Sequence, residues 1–158
     1  TMRRAGERAP DVSLCDTSGT SVSLNALLRE GPAVLAFFKV SCPVCQLIFP
    51  YLDRLAKAGS SEGLRILGVS QDDAGATTAF QKRFGPSPQS LIDDQDLSYQ
   101  VSNAYGITHV PSVFVIERDG IISQSWSGFS KADLESLGGR FHQPTFHSHE
   151  SVPAFKPG

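Results

Sequence analysis

Apolar residues along this chain fall into two alternating rhythms. Three short, nearly continuous stretches, Ala33 to Phe38, Leu64 to Val69 and Ser112 to Ile116, have the length and β-branched or aromatic content of buried strands. Between the first two, Leu47, Ile48, Tyr51, Leu52, Leu55 and Ala56 recur at roughly the helical period, predicting a helix that ends near Ala58-Gly59. A second helix is predicted from about Ala74 to Phe84, capped by Gln71-Asp72-Asp73 and ended by Gly85-Pro86. Leu91-Ile92-Asp93 reads as a short strand, and Asp94-Gln95-Asp96 as the cap of a helix reaching Ala104. Asp119-Gly120, between Ser112–Ile116 and Ile121–Trp126, signals a β-hairpin. Ser130 then caps a last helix, Lys131 to Leu137, stopped by Gly138-Gly139.

Ahead of these elements, Val12-Ser13-Leu14-Cys15 alternates like a short edge strand. Asp16-Thr17-Ser18-Gly19 supplies a turn and Thr20 to Leu24 returns, so a hairpin is expected there. Asn25 to Arg29 fits a short helical turn stopped by Gly31-Pro32. Two strand–helix–strand units with a terminal hairpin predict an α/β domain, a central mixed sheet with helices on both faces. The domain is expected to span residues 1–139. From Arg140 the segment 140–158 has no period and reads as an irregular tail, extended or disordered and solvated.

Composition narrows the classes. With 158 residues, 40% hydrophobic and 19% charged, the chain suits one globular domain with its own core. A net charge of −2 with scattered Lys and Arg argues against nucleic acid as the main partner. No apolar run approaches the roughly 18–20 residues of a membrane helix, so no membrane span is expected. Three cysteines are too few for a disulfide-stapled fold, and Cys15, the odd one, reads as a small buried or half-buried apolar residue. Thr1 to Gly6 lacks a hydrophobic signal segment. A native start at Met2 would imply the cytoplasm; a trimmed leader would imply the periplasm or another extracytoplasmic compartment.

Chemistry concentrates at Cys42-Pro43-Val44-Cys45, which follows the Ala33–Phe38 strand after only Lys39-Val40-Ser41 and opens the first long helix. The first sulfur then lies where free helix N–H groups and the positive end of the macrodipole stabilise a thiolate, the nucleophile of thiol–disulfide exchange. The second, about one turn on, can displace it from a mixed disulfide. C-x-x-C can also be half of a zinc site, but that needs two more ligands, and the only His cluster, His142, His147 and His149, lies in the tail. No metal and no cofactor are expected at the cysteines, and a solvated tail is favoured over a tail metal site.

Residues 6 to 138 resemble the thioredoxin-fold redoxins, the group in which AhpC/TSA peroxiredoxins and TlpA-like thiol–disulfide oxidoreductases meet. The matching residues are Gly6 to Asp11, Phe37 to Cys45, Pro50 (the proline that bends the first helix in such proteins) and Gly106 to Ser112. The resemblance implies a thioredoxin-like fold with an N-terminal β-hairpin extension. It implies Cys42 as nucleophile, Cys45 as resolving thiol, and Ser41, Pro43, Val110 and Pro111 as substrate-binding residues, Pro111 being cis. It also implies protein thiols and disulfides as partners, with an upstream thiol reductant or oxidant. Oligomeric state and direction of electron flow are left open.

This chain departs from its relatives at informative places. Ser41 stands where thioredoxins have Trp, Ala36 where they bury an acid, and Ile48 where TlpA-like reductants often carry Glu. Water or another group must then move the proton of the second thiol. His109 is a candidate proton partner, otherwise a surface loop residue; Asp72 and Asp73, at the end of the neighbouring strand, read first as helix caps and second as residues that approach the site. Peroxiredoxins place a Thr or Ser three residues before the peroxidatic cysteine, but here Lys39 precedes Cys42 by three and Cys42 itself precedes Cys45 by three. A thiol peroxidase is therefore the disfavoured alternative, alongside a catalytically silent binding domain on the same fold. Phe37, Phe38, Phe49 and Trp126 read as core.

Overall fold

The central strand accounts for most of the architecture. In the computed structural model, which describes residues 1–158, β3 (Ala33–Phe38) is buried along its whole length. Successive side chains point to opposite sheet faces, so Val34, Ala36 and Phe38 join one apolar cluster while Ala33, Leu35 and Phe37 join another. A strand covered on both faces needs helices on both sides.

On the first face lie α2 (Pro43–Ala58), α3 (Ala74–Phe84) and α5 (Lys131–Arg140), contributing Ile48, Phe49, Leu52, Phe80, Leu134 and Leu137 to that cluster. On the second lie α1 (Leu24–Glu30) and α4 (Gln100–Ala104), which contribute Leu24, Leu27, Leu28 and Val101. The remaining strands are β1 (Ser13–Asp16), β2 (Ser21–Ser23), β4 (Arg65–Ser70), β5 (Gln89–Ile92), β6 (Ser112–Ile116) and β7 (Ile122–Ser127). They form a seven-stranded sheet in the order β2-β1-β5-β4-β3-β6-β7. The strands β3, β4 and β5 run parallel, and the flanking pairings are antiparallel, giving the expected mixed sheet. The N-terminal hairpin forms, but β1 is internal, pairing with β5 as well as β2. No helix is long and apolar enough to cross a membrane.

Four local expectations need correction. Cys15 is exposed rather than buried, because it alternates outward from buried Leu14 on β1. The helix expected after Asp94 is instead a 3₁₀ turn, Gln95–Leu97, then left-handed Ser98 and Tyr99, and only then α4. Buried Asp93, not Asp94, caps α4, accepting the Val101 and Ser102 N–H groups at 3.3 and 2.6 Å and the Ser102 hydroxyl at 2.7 Å. The last helix runs through Gly138-Gly139 to Arg140. There Gly138 is needed for close approach, since a Cβ would lie 2.9 Å from the Gln143 carbonyl oxygen and 3.1 Å from the Thr145 nitrogen.

That approach bears on the fourth correction: the tail is solvated only in part, and its middle packs against the domain. Thr145 is 1% exposed and its hydroxyl donates to the Leu134 carbonyl at 2.5 Å. Phe146 packs edge-on against Tyr51 with ring centroids 4.8 Å apart, and Glu150 takes both Arg54 guanidinium nitrogens at 2.8 Å. Beyond it, β9 (Phe155–Lys156) pairs antiparallel with β8 (Phe129–Ser130).

Candidate active site

Chain direction brings the site together. With β3 and β4 parallel and in register from Ala33↔Arg65 to Phe38↔Ser70, both strands end at the same edge, where their loops meet. The Gln71 N–H donates to the Phe38 carbonyl at 3.0 Å, tying the two exits. Val40 is held on both sides: its N–H donates to Asp72 Oδ2 at 2.8 Å, and its carbonyl accepts from Gln46 Nε2 at 3.0 Å. The Cys42 N–H closes the turn onto the Lys39 carbonyl at 3.2 Å.

Cys42 occupies the N-cap of α2 in extended backbone, and Pro43 takes the first helical position, where a missing N–H costs nothing. The Cys45 N–H donates to Cys42 Sγ at 3.2 Å, so the sulfur fills the place of a capping oxygen at the positive end of the helix. Both cysteines are free thiols; Cys42 is half-buried and Cys45 is fully buried. Cys45 sits in the apolar cluster with Ala36 and Ile48. Burial, and after it the hydrogen bond with Cys42, pushes the Cys45 thiol well above the usual cysteine range.

The opposite wall is the loop before β6. Val110-Pro111 is a cis peptide, and the Cys42 thiol donates to the Val110 carbonyl at 3.5 Å. Ser112 Oγ donates to the His109 carbonyl at 2.7 Å, and the Gly128 N–H to the Pro111 carbonyl at 2.8 Å, fixing the loop from behind. Ser41 and Pro43 are exposed beside Cys42. His109 is also exposed, its Nδ1 3.0 Å from the neighbouring Thr108 hydroxyl. Phe37, Phe38 and Phe49 are core, at no more than 1% exposure, and Trp126 is buried.

Sequence reasoning missed part of this arrangement. Asp73 does cap α3, accepting the Ala76 N–H at 2.8 Å, but Asp72 instead braces the loop that carries the cysteines. Equal phasing of two parallel strands was the available signal, because residues just beyond their paired ends must face each other. Gln46 gave no such signal. His147, His149 and Glu150 bring metal-type ligand atoms within 4.8 Å of one another. Both Glu150 oxygens are already held by the Arg54 cation, and the cysteines are not part of that group.

Comparison with known proteins fits this arrangement. Residues 5–125 match the family model described as the AhpC/TSA family. The chain is 32% identical over 132 residues to the thiol-disulfide oxidoreductase ResA of Geobacillus kaustophilus, covering 82% of this chain and 74% of that one. Among solved structures, the thioredoxin domain of a thiol-disulfide oxidoreductase from Bacteroides vulgatus superposes with a TM-score of 0.76 at 24% identity, over 88% of this chain and 98% of that one. The peroxidoxin BcpB of Mycobacterium tuberculosis superposes with a TM-score of 0.73, also at 24% identity, over 90% and 97%. An oxidoreductase and a peroxidoxin thus share one backbone, and the choice between exchange and peroxide chemistry rests on side chains.

Proposed function

The chain belongs to the AhpC/TSA family, and on that premise we propose that Cys42 and Cys45 are the redox pair with which it exchanges disulfides with protein partners. It is a thiol–disulfide oxidoreductase of thioredoxin-like fold; the pair and its partners are our reading. The observation that carries it is the asymmetry of the two sulfurs. Cys42 is reachable, accepts a helix N–H at 3.2 Å and faces Val110, while Cys45 is fully buried one turn behind it.

In the reducing direction, the Cys42 thiolate attacks one sulfur of a partner disulfide, forming a mixed disulfide and expelling the other partner sulfur as a thiolate that takes up a proton. Cys45 then gives up its proton and attacks Cys42 Sγ. The Cys42–Cys45 disulfide forms and the second partner sulfur leaves as a thiol, so two electrons pass to the partner. An upstream thiol reductant restores the pair; with an upstream oxidant, each step runs in reverse. Val110 and Pro111 with Ser41 and Pro43 form the substrate surface. His109, exposed on the loop that carries Val110, is the candidate to exchange the Cys45 proton through water. Residues 1–139 carry this chemistry, and 140–158 are an appended segment.

The test is a pair of variants. Cys42→Ser abolishes reduction of insulin disulfides, and Cys45→Ser accumulates a mixed disulfide with the partner. Failure to trap any adduct would favour a binding domain without catalysis. Sustained peroxide turnover with a dithiol, lost on replacing one cysteine, would overturn the ranking in favour of a peroxidase.

A further inference from the structure

The Val110 carbonyl that accepts the Cys42 thiol has a second neighbour from the far end of the chain. A Cβ placed on Gly158 would overlap that carbonyl and lie 3.2 Å from the Pro111 nitrogen. Residues 154–158 reach this point through the strand β9. The Lys131 N–H donates to the Ala154 carbonyl at 2.9 Å, and Ser130 and Phe129 pair with Phe155 and Lys156. The chain then crosses Gly128, whose φ of +84° and missing side chain let it pass: a Cβ there would lie 2.5 Å from the Lys156 carbonyl oxygen and 3.3 Å from the Pro157 Cα. All five residues are exposed, Phe155 at 59%, so this segment is held through its backbone.

We propose that the edge of β8, Gly128 and the Val110 carbonyl form a strand-docking surface for an extended segment of the partner protein, which this chain's own residues 154–158 occupy until displaced. The inference rests on the exchange reading for the identity of Cys42 as the group the partner approaches. Main-chain pairing fits partners of varied sequence, because it reads the backbone and not the side chains. β8 has no strand partner other than β9, and a two-stranded ladder of two residues each is weak enough to exchange. Occupation lowers apparent partner affinity by the fraction of molecules in which the surface is free.

The experiment uses the reduced chain with Cys15→Ser, comparing the full length with a form lacking residues 154–158, a deletion that takes nothing from the core. Coupling of Cys42 to a maleimide bearing a long polyethylene glycol should quicken about fivefold, while reaction with iodoacetamide changes less than about twofold, as release of a self-docked segment requires. Lys156→Pro, which keeps the length but cannot donate to the ladder, should act in the same direction. Equal polymer-coupling rates in all three forms overturn the proposal. Displacement is read in Cys45→Ser protein joined through Cys42 to a synthetic cysteine peptide, where the Lys156 amide of the displaced segment, opposite Phe129 on β8, should lose hydrogen-exchange protection; unchanged protection also overturns it. Faster coupling without any insulin reduction would instead defeat the exchange reading and leave the self-docked segment standing.

Discussion

Cys45 shows how a single residue's surroundings set the order of chemical events. Its thiol is held protonated by burial, and by contact with Cys42, among side chains that include Ala36 and Ile48. In a Cys15→Ser background at neutral pH, peptide-resolved mass spectrometry should find Cys42 alkylated first and Cys45 largely unmodified. Equal labelling would undo the assignment of roles. Resolution of the mixed disulfide should quicken as pH rises toward the elevated Cys45 range, since only the deprotonated thiol attacks. Asp72 makes a second residue-scale case. Removing its carboxylate by Asp72→Ala frees the Val40 N–H and should cost about 1.5–3 kcal/mol, the worth of a hydrogen bond to a charged group. Exchange by Cys42 should slow with it, and Asp72→Asn should restore most of the rate if the residue acts by positioning the loop. The cysteines were legible from their own spacing, and the cis Val110-Pro111 bond from the resemblance of Gly106 to Ser112 to a family loop. The end of a neighbouring strand made Asp72 a second-choice site residue, but its bond to Val40 was not legible, because that partner lies thirty-two positions away and only strand phasing brings them together.

At the scale of elements, β4 and its neighbours show why buried runs and local caps were readable where caps set by distant groups were not. Gly68 lies opposite Ala36 on β3 and Ser90 on β5, and a Cβ there would meet the Ser90 hydroxyl at 2.7 Å and the Phe38 ring at 2.8 Å. Gly68→Ala should therefore destabilise by roughly 1–3 kcal/mol through overpacking, lowering the urea midpoint without changing the slope. Phe38→Ala, which leaves Phe49 and Phe80 facing a void, should cost about 3–5 kcal/mol. Runs such as Ala33 to Phe38 were readable because burial on both faces leaves no polar position. The α3 boundaries were readable because Asp73 and Gly85 are local signals. The start of α4 and the end of α5 depend on distant groups instead. Asp93 serves as a cap only because β5 buries it, and Gly138 continues a helix because Thr145 presses against it.

Over the whole molecule, the segment after Arg140 separates what composition can say from what assembly decides. Its lack of period is real, yet Thr145, Phe146 and Glu150 each find a partner on a helix formed earlier in the chain. Those partners, Leu134, Tyr51 and Arg54, are visible only once α2 and α5 lie side by side, so no window of sequence could have announced them. The clamp is also acid-sensitive in a definite direction. Arg54, and after it the His147 N–H, holds the Glu150 carboxyl down at about 2, below its ordinary value of 4.5. A depressed carboxyl contributes fully above about 4.5, and its contribution is lost as pH falls from there through about 2. The His147 amide donates to Glu150 Oε1 at 2.6 Å and reports on the clamp directly. Its hydrogen-exchange protection factor should fall by roughly an order of magnitude across that interval, as expected for local opening, while amides of β3 hold theirs. Glu150→Gln, which carries no titrating charge, should start at the lowered protection and show no further loss on acidification. Protection at His147 that follows β3 through the same pH range would mean that the segment opens only with the whole domain, and that the Arg54–Glu150 pair does not govern it.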